Sequence, residues 1–147
     1  MTISTASQID AYQAKLKKLA GQIRDRREPN RLVSVEFYKV TIRNFDAEGA
    51  MYGKWAPLKE STIKRKDRLG KERMLVITGH LRSGFVPFYD GKNAGVRNEV
   101  EYAAAHHFGN PDTNLPKRNL LPTRQAANDI GLKVYNWYIG KIAREAN

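Results

Sequence analysis

Three histidines and two glutamates are the residues whose types could hold a metal ion or carry out hydrolysis: His80, His106, His107, Glu99 and Glu101. Neighbouring residues on a helix point about 100° apart, so His106 and His107 do not readily share one metal. Glu99 and Glu101 alternate along a predicted strand and would face the same side. A metal site joining Glu101 to one histidine is conceivable, and so is a hydrolase that uses Glu99, Glu101 and a histidine. These side chains lack the spacing of a metal-binding motif, which favours the alternative. In that alternative one histidine packs at the core edge and the other is solvated.

No serine or threonine lies in a nucleophile motif. Ser83 follows Arg82 and precedes Gly84 rather than occupying a G-x-S-x-G elbow, and Ser61 and Thr62 fit a helix start. The glycines form neither G-x-G-x-x-G nor G-x-x-x-x-G-K. The chain contains no cysteine, which excludes thiol nucleophiles, disulfides and Cys-containing zinc sites. We therefore expect a protein that is not an enzyme and has no catalytic residues and no bound metal.

Positive charge is the strongest feature of the composition. Lysine and arginine total 26 against 15 acidic residues, which gives a net charge of +11 at pH 7. The excess is concentrated at +3 in residues 1–30, +5 in residues 54–73 and +4 in residues 117–147. This excess implies an acidic partner or a position near nucleic acid. It does not imply recognition of a particular DNA sequence, because attraction to phosphates carries no information about the bases.

The densest basic run has two interpretations. It comprises Lys64, Arg65, Lys66 and Arg68. Such a run is commonly a solvated helix face, and the alternative is a surface that faces DNA or an acidic neighbour. The nearby Trp55-Ala56-Pro57-Leu58 loop is likewise either closed by a core tryptophan or anchors an interface.

The chain lacks the sequence features of membrane insertion. No apolar run approaches the roughly 18 residues that a membrane helix needs. Residues 1–5 have neither the basic nor the apolar region of a signal peptide. We expect a protein that is made and used without crossing a membrane.

The sequence predicts an α+β fold, and its elements must position the residues named above. Its length of 147 residues fits a single domain. We expect a peripheral N-terminal helix within residues 1–27, since Ile9, Tyr12, Leu16, Leu19 and Ile23 form one apolar stripe. The other predicted elements are a helix from Asn30 to about Ala47, a basic helix from Glu60 to Leu69, a helical turn capped by Thr78, an antiparallel hairpin with strands near 85–90 and 94–100, a short helix from Tyr102 to Phe108, and a C-terminal helix over 123–144 with Ala127, Ile130, Val134 and Trp137 inward.

The order of several short motifs resembles the phage virion morphogenesis family, also called the tail-completion family. The resemblance covers about residues 43–125. Its motifs are Phe45-Asp46-Ala47-Glu48-Gly49, Trp55-Ala56-Pro57-Leu58, Ser61-Thr62, Met74-Leu75, Thr78-Gly79-His80-Leu81-Arg82-Ser83, Tyr102-Ala103-Ala104, His107-Phe108-Gly109, Pro116-Lys117-Arg118 and Leu120-Leu121-Pro122.

The resemblance implies a structural virion protein at the neck or tail terminus, made in the cytoplasm of a host bacterium. Such proteins complete the tail and join it to the DNA-filled head, without catalysis or cofactor. It implies a homo-oligomeric ring, hexameric or dodecameric, that contacts neck, connector or tail-tube proteins and encloses genomic DNA non-specifically. The residues expected at its oligomer or partner interface are Trp55, Pro57, Leu58, His107 and Phe108. The alternative is a small basic protein that binds double-stranded DNA non-specifically.

Overall fold

The computed structural model describes residues 5–76 and 78–146. Six helices and one two-stranded antiparallel sheet lie within these residues, and they form an α+β fold as the sequence predicts. The elements are α1 (Thr5–Arg24), α2 (Arg27–Asp46), α3 (Glu60–Arg68), α4 (His80–Ser83), β1 (Phe85–Tyr89), β2 (Ala94–Asn98), α5 (Ala103–Phe108) and α6 (Arg124–Glu145).

Helix α2 is the central element, because it packs against both strands of the hairpin and against α6. Strands β1 and β2 pair in register from Phe85 opposite Asn98 to Tyr89 opposite Ala94. Asp90 fixes the turn between them, since its Oδ1 accepts hydrogen bonds from the backbone N–H groups of Lys92 and Asn93. The predicted hairpin is therefore confirmed.

The hydrophobic core lies where α2, the hairpin and the following loops meet. Its buried members are Phe45, Trp55, Leu81, Phe85, Ala103 and Leu120. The Phe45 ring meets Trp55 and Phe85 edge-on, with centroid distances of 5.3 and 5.9 Å. Such edge-to-face pairs add stabilisation beyond the burial of apolar area. The core thus joins the end of α2 to chain segments that are distant in sequence.

The start of α2 differs from the prediction. The helix begins at Arg27 rather than after Asn30, because Pro29 falls in its first turn, where the missing N–H would have no helical partner. Asn30 is buried inside the helix instead of capping it. Its Nδ2 donates to the Asp90 carbonyl oxygen at 2.8 Å, and its Oδ1 accepts from the Tyr135 hydroxyl at 2.6 Å. One side chain therefore ties α2 to the hairpin tip and to α6.

The N-terminal ends of α6 and α4 are capped by different residue types. Thr123 caps α6 as predicted, since its hydroxyl oxygen accepts a hydrogen bond from the Ala126 N–H. At α4 the cap position is taken by Gly79, in a left-handed conformation, rather than by Thr78. Thr78 lies one residue further out, and its hydroxyl oxygen accepts from the His80 N–H at 3.5 Å.

The two terminal helices leave apolar side chains exposed. On α1 the predicted stripe is present, and Ile9, Tyr12, Leu16 and Ile23 are exposed along it. On α6, Trp137 lies on the same side as Ile130 and Val134, as predicted, but it is 54% exposed rather than buried. It lines an open groove of about 560 Å³ between α2 and α6, beside the half-buried Val134.

Candidate functional site

The loop that carries Trp55 is held in place by hydrogen bonds to and from Asn119. Trp55 is 3% exposed, and its indole Nε1 donates to the Asn119 carbonyl oxygen at 3.1 Å. The buried Asn44 donates to the same oxygen at 2.9 Å, while the Asn119 side chain donates to the Tyr52 carbonyl oxygen at 2.8 Å. The tryptophan therefore organises the loop from the core side.

Gly49 makes this arrangement possible. Its φ of +84° lies in the left-handed region, where side chains are disfavoured. A Cβ at this position would come within 2.2 Å of Trp55 Cδ1. The glycine following α2 thus lets the chain turn tightly enough for the indole ring to pack against it.

Pro57 and Leu58, which follow the tryptophan, line an open cleft of about 730 Å³. Residues 113–116 also line it, and within them Leu115 forms a bridge with Asn110. Helix α3 supplies Arg65 and Lys66 to the same cleft. Four of the nine predicted interface and basic residues are therefore brought together. The other five lie outside the cleft lining: Trp55, Lys64, Arg68, His107 and Phe108.

The basic run of α3 is divided between surface and interior. Lys64 pairs with Glu60 at 2.8 Å, and both of these side chains are exposed. Arg65 and Arg68 are exposed as well. Three of the four cations thus lie on a surface, as the sequence indicates.

Lys66 does not lie on that surface and is 3% exposed. Its Nζ donates to the carbonyl oxygens of Arg73 and Val76, the second at 2.9 Å. Burial lowers the pKa of this ammonium group. The expected orientation towards DNA is corrected for this residue, because the side chain stabilises the segment that follows α3.

Arg118 is a buried cation that the sequence reasoning did not single out as a site residue. It is 3% exposed and lines the cleft. Its Nη2 donates to the Ala56 carbonyl oxygen at 3.3 Å, and its Nε is buried without a partner among the described residues. Burial lowers the pKa of this guanidinium. The only sequence signal was its place in the Pro116-Lys117-Arg118 motif.

The two adjacent histidines have different surroundings. His107 Nδ1 accepts a hydrogen bond from the Leu120 N–H at 3.1 Å, so this nitrogen is unprotonated. His106 lines the cleft, and its buried Nδ1 has no partner among the described residues. Burial lowers the pKa of both rings. Both are half-buried, which corrects the expectation that one of them is solvated.

The glutamates considered for hydrolysis do not form a site with these histidines. Strand β2 ends at Asn98, so Glu99 and Glu101 do not alternate along it. Glu99 instead pairs with Arg97 at 3.1 Å on the surface, and Glu101 is exposed. Within residues 5–76 and 78–146, no group of three or more potential metal-ligating side chains converges.

Phe108 is an exposed residue of the predicted interface. It is 72% exposed, and the His107 ring meets it edge-on at a centroid distance of 4.7 Å. Pro57 is also exposed, and Leu58 is half-buried. An apolar contact surface is therefore available on the loop and at the end of α5.

A family model described as the phage virion morphogenesis family matches residues 7–132 of the 147. No curated protein and no solved structure matches the chain. None of the helices in the described part of the chain has the length and apolar character to cross a membrane.

Proposed function

Because the chain belongs to the phage virion morphogenesis family, we propose that it completes the tail and joins it to the head. In this role the protein is assembled in the cytoplasm of the host bacterium and stays in the virion at the neck or tail terminus. Its subunits form a ring of six or twelve copies around the DNA channel. Each subunit also contacts a neighbouring neck, connector or tail-tube protein.

The observation that carries this proposal is the exposed apolar stripe of α1. Ile9, Tyr12, Leu16 and Ile23 are all exposed on a helix that contacts the rest of the chain mainly through α6. Contiguous exposed apolar surface is typical of sites that another protein covers. A neighbouring subunit that covers the stripe would remove it from water.

The Trp55 loop supports a second contact in the same assembly. The Trp55 indole holds the loop from the core side through its hydrogen bond to Asn119, while Pro57 is exposed and Leu58 is half-buried. A ring requires head-to-tail interfaces, in which two different surfaces of each subunit meet. The α1 stripe and the Trp55 loop are two such different surfaces.

Electrostatics favours a ring that encloses DNA. The net charge is +11, and Lys64, Arg65 and Arg68 are exposed on one short helix. Cations that face a channel attract phosphates at any sequence. Such contacts would let the genome pass without being held at one position.

The test is the mass of the purified protein by light scattering, at low and high salt, with electron microscopy of the same sample. A hexamer or dodecamer that persists at high salt and appears as a ring supports the proposal. A monomer at every concentration and salt, also after mixing with purified tails, would contradict it.

The exposed cations also favour one other candidate, a protein that binds duplex DNA non-specifically. This activity would weaken steeply between low and physiological salt, because binding releases counterions from the DNA. A salt titration with duplexes of unrelated sequence distinguishes the two. Ring formation with weak, salt-sensitive DNA binding supports the structural role, whereas DNA binding by a persistent monomer supports the alternative.

A further inference from the structure

We propose that the cleft between α3 and residues 113–118 binds an acidic peptide segment of a partner protein, with a carboxylate held by Arg118 and Arg65. This inference does not depend on the ring, because it concerns binding by a single chain. It gives the cleft a ligand class: an extended segment in which Asp or Glu is flanked by apolar side chains.

The charge in the cleft is uncompensated. Lys59, Arg65, Lys66 and Arg118 line it, and no described lining residue is acidic. Among the described residues, neither Arg65 nor Arg118 has a carboxylate within ion-pair distance. An unpaired buried charge is costly, and an incoming anion removes that cost.

The Arg118 guanidinium has N–H donors that no acceptor among the described residues satisfies. A guanidinium carries five N–H donors, and among the described residues the Arg118 side chain forms one bond, to the Ala56 carbonyl oxygen at 3.3 Å. The side chain is more than nine-tenths buried, and its Nε has no partner among the described residues. Guanidinium groups bind carboxylates through paired N–H donors, so a carboxylate is a fitting partner.

The shape and lining of the cleft favour a peptide over nucleic acid. Its volume of about 730 Å³ lies within the range of about 300–1,000 Å³ found for ligand pockets. Leu58, Leu75 and Leu115 supply apolar lining next to the cations, which suits apolar side chains on either side of an acid. A rigid duplex carries its phosphates on the outside of a wide rod and does not reach a guanidinium that is 3% exposed.

The probe for the test is a short synthetic peptide with blocked ends, in which two glutamates are flanked by leucines, and the control replaces both glutamates with glutamine. Binding is followed by fluorescence anisotropy and by the Nε–Hε resonance of Arg118 in ¹⁵N-labelled full-length protein. The glutamate peptide is expected to shift that resonance and to bind at least about tenfold more tightly than the control, as the loss of one charge-assisted bond implies.

Variants locate the site. Arg65→Gln changes an exposed residue and is expected to weaken peptide binding about tenfold, whereas Arg68→Gln, outside the cleft on the same helix, is expected to leave it unchanged. Arg118→Met is expected to abolish binding, with folding checked by circular dichroism. If Arg118→Met does not fold, Arg65→Gln and the resonance shift decide the question.

Three outcomes would overturn the proposal. The first is equal binding of the glutamate and glutamine peptides, or no shift of the Arg118 resonance. The second is displacement of the peptide by inorganic phosphate or duplex DNA at comparable concentration, which would indicate a phosphate site. The third is a concentration-dependent shift of the Arg118 resonance without peptide, which would indicate that a second copy of this chain occupies the cleft.

Discussion

Arg82 donates two hydrogen bonds to Asp46, from Nε to Oδ1 and from Nη2 to Oδ2, each at 2.8 Å. This pair joins the last residue of α2 to α4. The hydrogen bond from Arg82 lowers the pKa of Asp46. Because a negative charge is unfavourable at a helix C-terminus, the arginine also offsets the interaction of Asp46 with the helix dipole.

We predict that Asp46→Asn lowers the free energy of unfolding by about 1 kcal/mol, a modest value because both side chains are about one-third exposed. Arg82→Lys is expected to lose much of the same stabilisation, since a lysine does not form the paired bonds. Urea unfolding of both single variants and of the double variant measures the coupling. Glu99→Gln, which breaks the exposed pair with Arg97, is the control and is expected to change stability by less than about 0.5 kcal/mol.

Two glycine substitutions are expected to act in opposite directions. Gly49→Ala places a Cβ against Trp55 in a left-handed backbone, so we predict a loss of more than about 2 kcal/mol. Gly131→Ala lies in α6, and apart from its chain neighbours and the backbone of its own helix no atom lies within 4 Å of the added Cβ, so we predict a gain of about 0.5–1 kcal/mol. Thermal unfolding of the two variants tests both. Equal melting temperatures for Gly49→Ala and the parent protein would contradict the role assigned to this glycine.

The stability of the protein is expected to fall below about pH 6.5. Burial lowers the pKa of both His106 and His107 in the folded chain. The positive charge of Arg118 lowers the pKa of His106 further, and that of Lys117 lowers the pKa of His107 further. The unfolded chain therefore binds protons first as pH falls. The stability associated with neutral rings is complete above the unfolded pKa and is lost as pH drops through the lower, folded pKa values.

Urea unfolding between about pH 7.5 and about pH 5 measures this loss. His107→Asn retains an acceptor for the Leu120 N–H and does not titrate, so this variant is expected to show a smaller pH dependence. His80→Gln changes an exposed histidine and serves as the control. If the stability of His107→Asn depends on pH in the same way as that of the parent protein, His107 is not the cause of the loss.

Removal of residues 1–27 is predicted to leave a folded chain that assembles poorly. The described side chains of α1 are almost all exposed, and the core residues lie between Phe45 and Leu120, so the deletion removes little of the core. The retained fold is checked by circular dichroism, and the assembly state by light scattering. A matched variant, Tyr12→Ser with Leu16→Ser, changes only the apolar stripe and is expected to reproduce the assembly defect. A truncated chain that forms the same oligomer as the parent would show that α1 is not an interface.

Elements with strong local signals were predictable from the sequence. The hairpin has Asp90-Gly91 between its strands, and α6 has a threonine cap and an apolar repeat. The start of α2 was misplaced because proline is compatible with both a chain break and the first helical turn. Local pattern does not distinguish these two possibilities.

The buried polar residues were not predictable, because their partners are distant in sequence. Lys66 lies in a run that is hydrophilic at every position, and only the return of the chain at Arg73 and Val76 supplies the carbonyl groups that draw it inward. Arg118 is 3% exposed, and the carbonyl group that it contacts belongs to Ala56, 62 residues earlier in the chain. The exposure of Trp137 was likewise not predictable, because it depends on the open groove between α6 and α2 rather than on helical spacing.

The carbonyl oxygen of Asn119 has a consequence for biosynthesis. It accepts hydrogen bonds from Trp55 and Asn44, which precede it by 64 and 75 residues. While the chain is being translated, helix α2 can form early, but the polar groups beneath it stay unpaired until Asn119 has left the ribosome. Contacts between such distant residues slow folding and leave apolar surface open in the meantime. Completion of the core is therefore a late event in the synthesis of this chain.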